Sequence, residues 1–287
     1  ETYAIVKKRQ KPSEVESKRS IIRTHLIPWR GDVPMDQLTP KDGLALELSL
    51  AKHAPKTANN VYAVLRRMFR SAVEWGELER MPFAPESIKV PRKQDRPFYE
   101  FDELKALLEA KADPRGRLIV LLGADAGARM GEMRELRFTD VNHRTGLLTL
   151  ARAVWREDEV GPPKGGLVAR LQMTSRLALE LKAQKHLKGG LVLCHPDGSR
   201  LSVQTTRSLF GAVCRLAGVD DRGIHALRHT FCSHLAMRGA LPKEIQELAR
   251  HQHIETTMGY MHLSPDRPAA AIRLLEGGDV EKSGRQA

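Results

Sequence analysis

His225-Ala226-Leu227-Arg228-His229-Thr230, then His251, then Tyr260 within Thr256-Thr257-Met258-Gly259-Tyr260-Met261-His262, is the stretch on which the reading of this chain turns. Upstream, Ala126-Gly127-Ala128-Arg129-Met130-Gly131-Glu132 reads as the Gly-rich start of a helix. Two arginines, two histidines and a tyrosine are the parts that phosphodiester transfer requires. Such a transfer needs a nucleophile, positive charge on the non-bridging oxygens, an acid for the departing hydroxyl and a base for the incoming one. Arginine suits the charge role because its planar fork grips two phosphate oxygens and stays protonated. His225 and Arg228 are three apart on a predicted helix and project from one face; Arg129 and Glu132 share that spacing, which lets the carboxylate brace the guanidinium. Tyr260 follows a short helical stretch, and its phenol needs activation because its unperturbed pKa is about 10. Lys164, the only lysine between Lys111 and Lys182, sits in the turn-rich connector Gly161-Pro162-Pro163-Lys164-Gly165-Gly166, within reach of a leaving oxygen.

The remainder of the chain suits a polyanionic partner. Its 287 residues allow two domains, and its formal charge is +12. The first 98 residues hold 19 Lys and Arg against 12 Asp and Glu; the others hold 28 against 23, so the first third is the more basic per residue. Cys194, Cys214 and Cys232 lack paired metal spacing and are odd in number, which argues against a zinc site or a disulfide framework and fits a reducing cytosol. The sequence contains no apolar run of membrane-spanning length. Six of the eleven histidines lie between 225 and 262, and His225 and His229 have i,i+4 ligand spacing. No carboxylate accompanies them as in a His-Glu-x-x-His site, so no metal is expected. His229, His234, His253 and His262 read as structural or peripheral.

The expected organisation is mainly α with a small antiparallel β-sheet. Helices are predicted over 14–26, 40–51 and 56–75; in the last, Val61, Leu65, Met68, Phe69, Ala72 and Val73 form one stripe. Arg66, Arg67 and Arg70 lie off the stripe, near Asn59 and Asn60, on a face that either tracks a DNA backbone or is simply solvated. A basic, Pro-rich linker with Lys89, Arg92 and Lys93 is placed over 89–97, between a helical domain at 1–88 and a mixed domain at 98–276. Further helices are predicted over 101–110, 117–124, from Arg129, from Thr174 to about 186, and over 202–217, 225–239 and 242–250. Strands are predicted over 147–154 and 167–173, with a short one at 191–194. The stretch 277–287 reads as a polar, disordered tail.

The boxes around Arg129, at His225-Ala-Leu-Arg228 and from Leu248-Ala-Arg-His251 to Tyr260 resemble those of the tyrosine recombinases, the phage-integrase family. Their order and spacing together are specific, and the resemblance spans roughly residues 12–275. It implies a two-domain clamp: a helical core-binding domain and a mixed α+β catalytic domain. It further implies that Tyr260 forms a 3′-phosphotyrosyl link and that Arg129 and Arg228 hold the scissile phosphate. Lys164 is then the general acid, His225 a base or hydrogen-bond partner, His251 a further phosphate contact and Glu132 a support for Arg129. Two positions depart from the family pattern. Arg250 stands where Gly is frequent before the later histidine, and Pro163 where Thr is usual before the hairpin lysine.

The resemblance implies a site-specific recombinase acting on duplex DNA, without cofactor, metal or ATP, through a Holliday junction. It also implies a dimer per site and a tetrameric synapse, with accessory DNA-bending or directionality proteins as further partners and a cytoplasmic, nucleoid-associated setting. Ala269–Leu275 is apolar at helical spacing and suits docking on a neighbouring subunit or packing on its own domain. A type IB-like topoisomerase, a telomere resolvase and a non-catalytic DNA-binding protein of the same fold remain alternatives. An arm-binding segment ahead of Glu1 is left open.

Overall fold

The computed structural model describes residues 12–90, 96–155, 159–163, 166, 168–186 and 189–265. By contacts the chain divides into two compact units, Glu1–Lys93 and Gln94–Ala287. Each has its own apolar core.

The first unit is helical: α1 (Pro12–Ile21), α2 (Ile27–Arg30), α3 (Pro40–Leu50) and α4 (Pro55–Glu74). The helix expected to stop at residue 26 runs on, through a π turn at Ile22–Leu26 and into α2, with Pro28 in the first turn, where no intrahelical N–H is needed. At the start of α3 the Thr39 N–H donates to Asp42 Oδ2 at 2.9 Å, satisfying a donor that the helix leaves unpaired. On α4 the expected stripe does face the core: Val61, Leu65, Phe69 and Ala72 are buried, and Met68 and Val73 pack beside them. Ala58, Tyr62 and Val64 are buried too, so the apolar face is wider than the stripe.

The second unit is built around α6 (Pro114–Ala124), in which Leu118 through Leu122 are completely buried. It packs with α5 (Phe101–Glu109), α8 (Ser175–Ala183), α9 (Val203–Ala217) and α10 (Ile224–Met237). Gly123 sets the approach of α6 to α10, since a Cβ there would lie 2.4 Å from Leu227 Cβ. The short helices α7 (Met130–Glu135), α11 (Pro242–Ala249) and α12 (Ile254–Met258) complete the helical part.

Among the described residues the strands form two small antiparallel pieces, where one sheet was expected. One is three-stranded and antiparallel, β1 (Val141–Asn142), β2 (Leu147–Leu150) and β5 (Ala169–Gln172), in the order β1-β2-β5 with Leu148 opposite Leu171. The other pairs β3 (Ala153–Val154) with β4 (Val160–Gly161). The stretch 147–154 therefore breaks after Leu150, where Arg152 turns to pair with Asp140 at 2.6 Å. The strand expected at 191–194 reduces to isolated bridges, Arg137–Leu191 and Cys194–Arg200; its apolar residues are there to fill the core.

Candidate active site

Arg129 precedes the first turn of α7. Its N–H donates to Glu132 Oε2 at 2.8 Å and its Nη1 to Glu132 Oε1 at 3.0 Å, so the i,i+3 carboxylate does brace it. Gly127, at φ +56, makes the turn into this helix. It aims its carbonyl at two other arginines: Arg228 of α10 donates to it through Nη1, and Arg250 through Nη2 at 2.8 Å. Arg228 also donates to the Ala249 carbonyl through Nη2, which ties α10 to the end of α11. Burial pushes the Arg228 guanidinium down to about 10, with Arg129 and Arg250 adding to the effect. Arg250 Nη2 lies 3.1 Å from Glu132 Oε2.

Tyr260 lies just beyond α12 and is 2 % exposed, in a small core with Phe231, Cys232, Ala236, Ile245 and Ala249. Its hydroxyl shares a 2.6 Å hydrogen bond with His229 Nδ1. The His251 ring stacks on its ring at 6.1 Å between centroids, and the Arg96 guanidinium lies 4.7 Å from the ring centre. Burial pushes the phenol up to about 12, against the pull of Arg96 and Arg228. It also pushes His229 down to about 4 and His251 down to about 3, with the surrounding cations adding to both shifts. At neutral pH a neutral phenol thus faces a neutral imidazole. His251 Nδ1 meets Thr257 Oγ1 at 2.9 Å, fixing its ring. His225 is exposed on α10, its ring 4.8 Å from that of His229.

The model of the phage integrase family matches residues 97–267, more than half of the chain. The chain belongs to the phage integrase family. Among its curated relatives, the tyrosine recombinase XerA of Thermococcus kodakarensis is 30% identical over 241 residues, covering 82% of this chain and 79% of that protein. A tyrosine recombinase XerC of Pelobacter propionicus is 28% identical, covering 71% and 68%. A putative prophage phiRv2 integrase of Mycobacterium tuberculosis is 26% identical, covering 90% and 72%. The fold is shared with the Tn1549 transposon integrase in complex with transposon right end DNA, at TM-score 0.79, 19% identity and coverage of 96% and 98%. A lambda integrase dimer bound to a core site gives 0.70, 17%, 92% and 93%.

Within this integrase-family unit, Arg129, Glu132 and Arg228 join one hydrogen-bonded cluster, while His251 and Tyr260 stack in another. Lys164 lies outside the described residues; the connector around it is flanked by β4 and β5. Of the residues proposed for DNA contact, Asn59 is occupied within its own unit: its amide both donates to and accepts from the Ile88 backbone at 2.8 Å. Arg66 donates to Ser87 Oγ, and Arg67 pairs with Glu74 at 3.5 Å. Asn60, Arg70 and Lys89 are exposed; Arg92, Lys93, residues 269–275 and the tail lie outside the described residues.

Sequence reasoning missed three neighbours of the site. His229, read there as structural or peripheral, is the group on the phenol, and its place directly after Arg228 was the available signal. Arg96 had been assigned to the linker, and Arg250 was noted only as a departure from the family pattern. Among the described residues no three of His, Cys, Asp and Glu form a group that could hold a metal, and no helix is long and apolar enough to cross a membrane.

Proposed function

We propose that this integrase-family protein is a site-specific DNA recombinase that cuts and rejoins duplex DNA through Tyr260. The observation that carries this reading is a pair of side-chain clusters, Arg129–Glu132–Arg250 with Arg228 on the shared Gly127 carbonyl, and His251–Tyr260–His229, joined through the chain because Arg250 precedes His251 and Arg228 precedes His229.

In the reaction, the Tyr260 oxygen forms a bond to phosphorus and the bond to the 5′ oxygen breaks. The phenol proton passes to an imidazole, with His229 already on the hydroxyl and His225 beside it as base or phosphate hydrogen-bond partner. The departing 5′ oxygen takes a proton from Lys164. Arg129, Arg228 and His251 stabilise the charge that gathers on the non-bridging oxygens. The phosphotyrosyl bond conserves the energy of the broken diester, so a second strand's 5′ hydroxyl reverses the step and no ATP is consumed.

The basic face of α4 and the residues up to Lys93 follow the DNA backbone. The lambda integrase structure, a dimer on a core site, supports a dimer per recombination site, with two dimers in synapsis. Accessory DNA-bending proteins and a nucleoid setting belong to the same reading.

The test uses a pool of nicked duplexes of randomised sequence, from which SDS-resistant protein–DNA adducts are isolated and sequenced. Wild type is expected to give a tyrosine-linked adduct at a defined sequence, and Tyr260→Phe none. Absence of adduct from wild type, or equal adduct from Tyr260→Phe, refutes the reading. Relaxation of any supercoiled plasmid without sequence preference instead identifies a topoisomerase.

A further inference from the structure

Arg250 occupies a position that opposes it twice. It ends α11 with φ +56 and is the only non-glycine residue in the left-handed region among the described residues. That conformation is unfavourable for an L side chain, and glycine avoids the penalty. Its guanidinium is also buried, with the residue only 5 % exposed, and a buried charge is costly unless it is well partnered. The partnering is incomplete: Nη2 reaches Gly127 O and Glu132, while Nε and Nη1 find no hydrogen-bond acceptor among the described residues.

The contacts it does make are with the two groups that organise the phosphate-holding pair. Gly127 O is shared with Arg228, and Glu132 is shared with Arg129. Three guanidiniums against one carboxylate leave this cluster with a net charge of +2. A phosphodiester carries −1, whereas the five-coordinate phosphorane formed as Tyr260 attacks carries −2. The cluster is thus over-charged for the bound substrate and matched to the transition state, which is the difference that accelerates a reaction.

Resting on the strand-transfer reading above, we propose that Arg250 is a positioning residue for that reaction. It braces Gly127 O and Glu132 and supplies the third guanidinium charge, so that Arg129 and Arg228 favour the dianionic phosphorane over the monoanionic diester. Glycine at this position would relieve the backbone and remove the charge together.

The experiment compares wild type, Arg250→Gly and Arg250→Lys in single-turnover cleavage of the duplex recovered from the randomised pool. Each is run with an ordinary scissile phosphate and with a methylphosphonate there, whose phosphorane carries one negative charge fewer. Arg250→Gly is expected to slow cleavage of the phosphodiester roughly 100-fold, the scale for losing one preorganised donor, with DNA affinity within about threefold of wild type. On the methylphosphonate its deficit should shrink at least about tenfold, and Arg250→Lys should recover part of the rate by restoring charge without the fork.

Equal deficits on the two substrates, or a rate unchanged in Arg250→Gly, overturn the proposal. So does a deficit that follows a fall in the thermal midpoint of the variants, because packing alone then explains it. Failure of the strand-transfer reading has a different signature, since wild type itself then forms no adduct on any duplex.

Discussion

At the scale of single residues, the site sets its histidines against protonation. Burial holds His229 at about 4 and His251 at about 3, whereas an unfolded histidine takes up its proton at about 6.5. Between those values the unfolded chain binds protons that the folded site refuses. The stability contributed by the neutral pair is therefore fully present above about pH 6.5, falls as the pH drops toward about 3, and changes no further once the folded site also protonates. Urea midpoints measured from pH 7.5 to 4 should fall more steeply for wild type than for the double variant His229→Gln, His251→Gln. Parallel curves would show that the two rings do not carry this dependence. Arg129, Arg228, His251 and Tyr260 could be picked out in the sequence as candidates because phosphoryl chemistry restricts residue type and the spacing repeats a family pattern. His229, Arg96 and Arg250 were not, since each matters through a contact made by the folded chain.

At the scale of elements, the site depends on how closely α10 lies against α6, and Gly123 sets that distance. A Cβ at residue 123 would meet Leu227 Cβ at 2.4 Å, one residue before Arg228. Gly123→Ala is expected to destabilise the protein by about 1–3 kcal/mol in urea unfolding, the usual cost of overpacking. Combining it with Leu227→Ala should cost less than the two separate losses together, because the neighbours share one space. An additive double variant would locate the damage elsewhere. The helices were legible because the 3.6-residue stripe of α4 and the starts of α3 at Thr39 and α8 at Thr174 are local signals. The sheet was less so. An alternating run such as 147–154 does not reveal that Arg152 will leave the ladder for Asp140, and an apolar run such as 191–194 looks alike as strand or as buried loop.

At the scale of the whole molecule, a charge of +12 makes DNA affinity a function of salt. Each phosphate neutralised adds about 0.9 to the slope of log affinity against log salt. Arg70, exposed on α4, is expected to account for about one such contact. Arg70→Ala should therefore reduce the measured slope by roughly one and leave adduct formation unchanged at saturating protein. An unaltered slope would remove Arg70 from the DNA-binding face. Charge and proline spacing suggest a linker over 89–97, whereas the division of the chain by contacts into Glu1–Lys93 and Gln94–Ala287 rests on long-range neighbours that those local signals do not encode.

Behind Tyr260 lies Cys232, fully buried in the same small core and held by burial at about 11. A thiol so covered reacts with an alkylating reagent only while its cover is away. With Cys194 and Cys214 replaced by serine, the labelling rate of the one remaining thiol becomes a clock for openings of the core that holds the tyrosine, readable with no DNA sequence known and no strand cut.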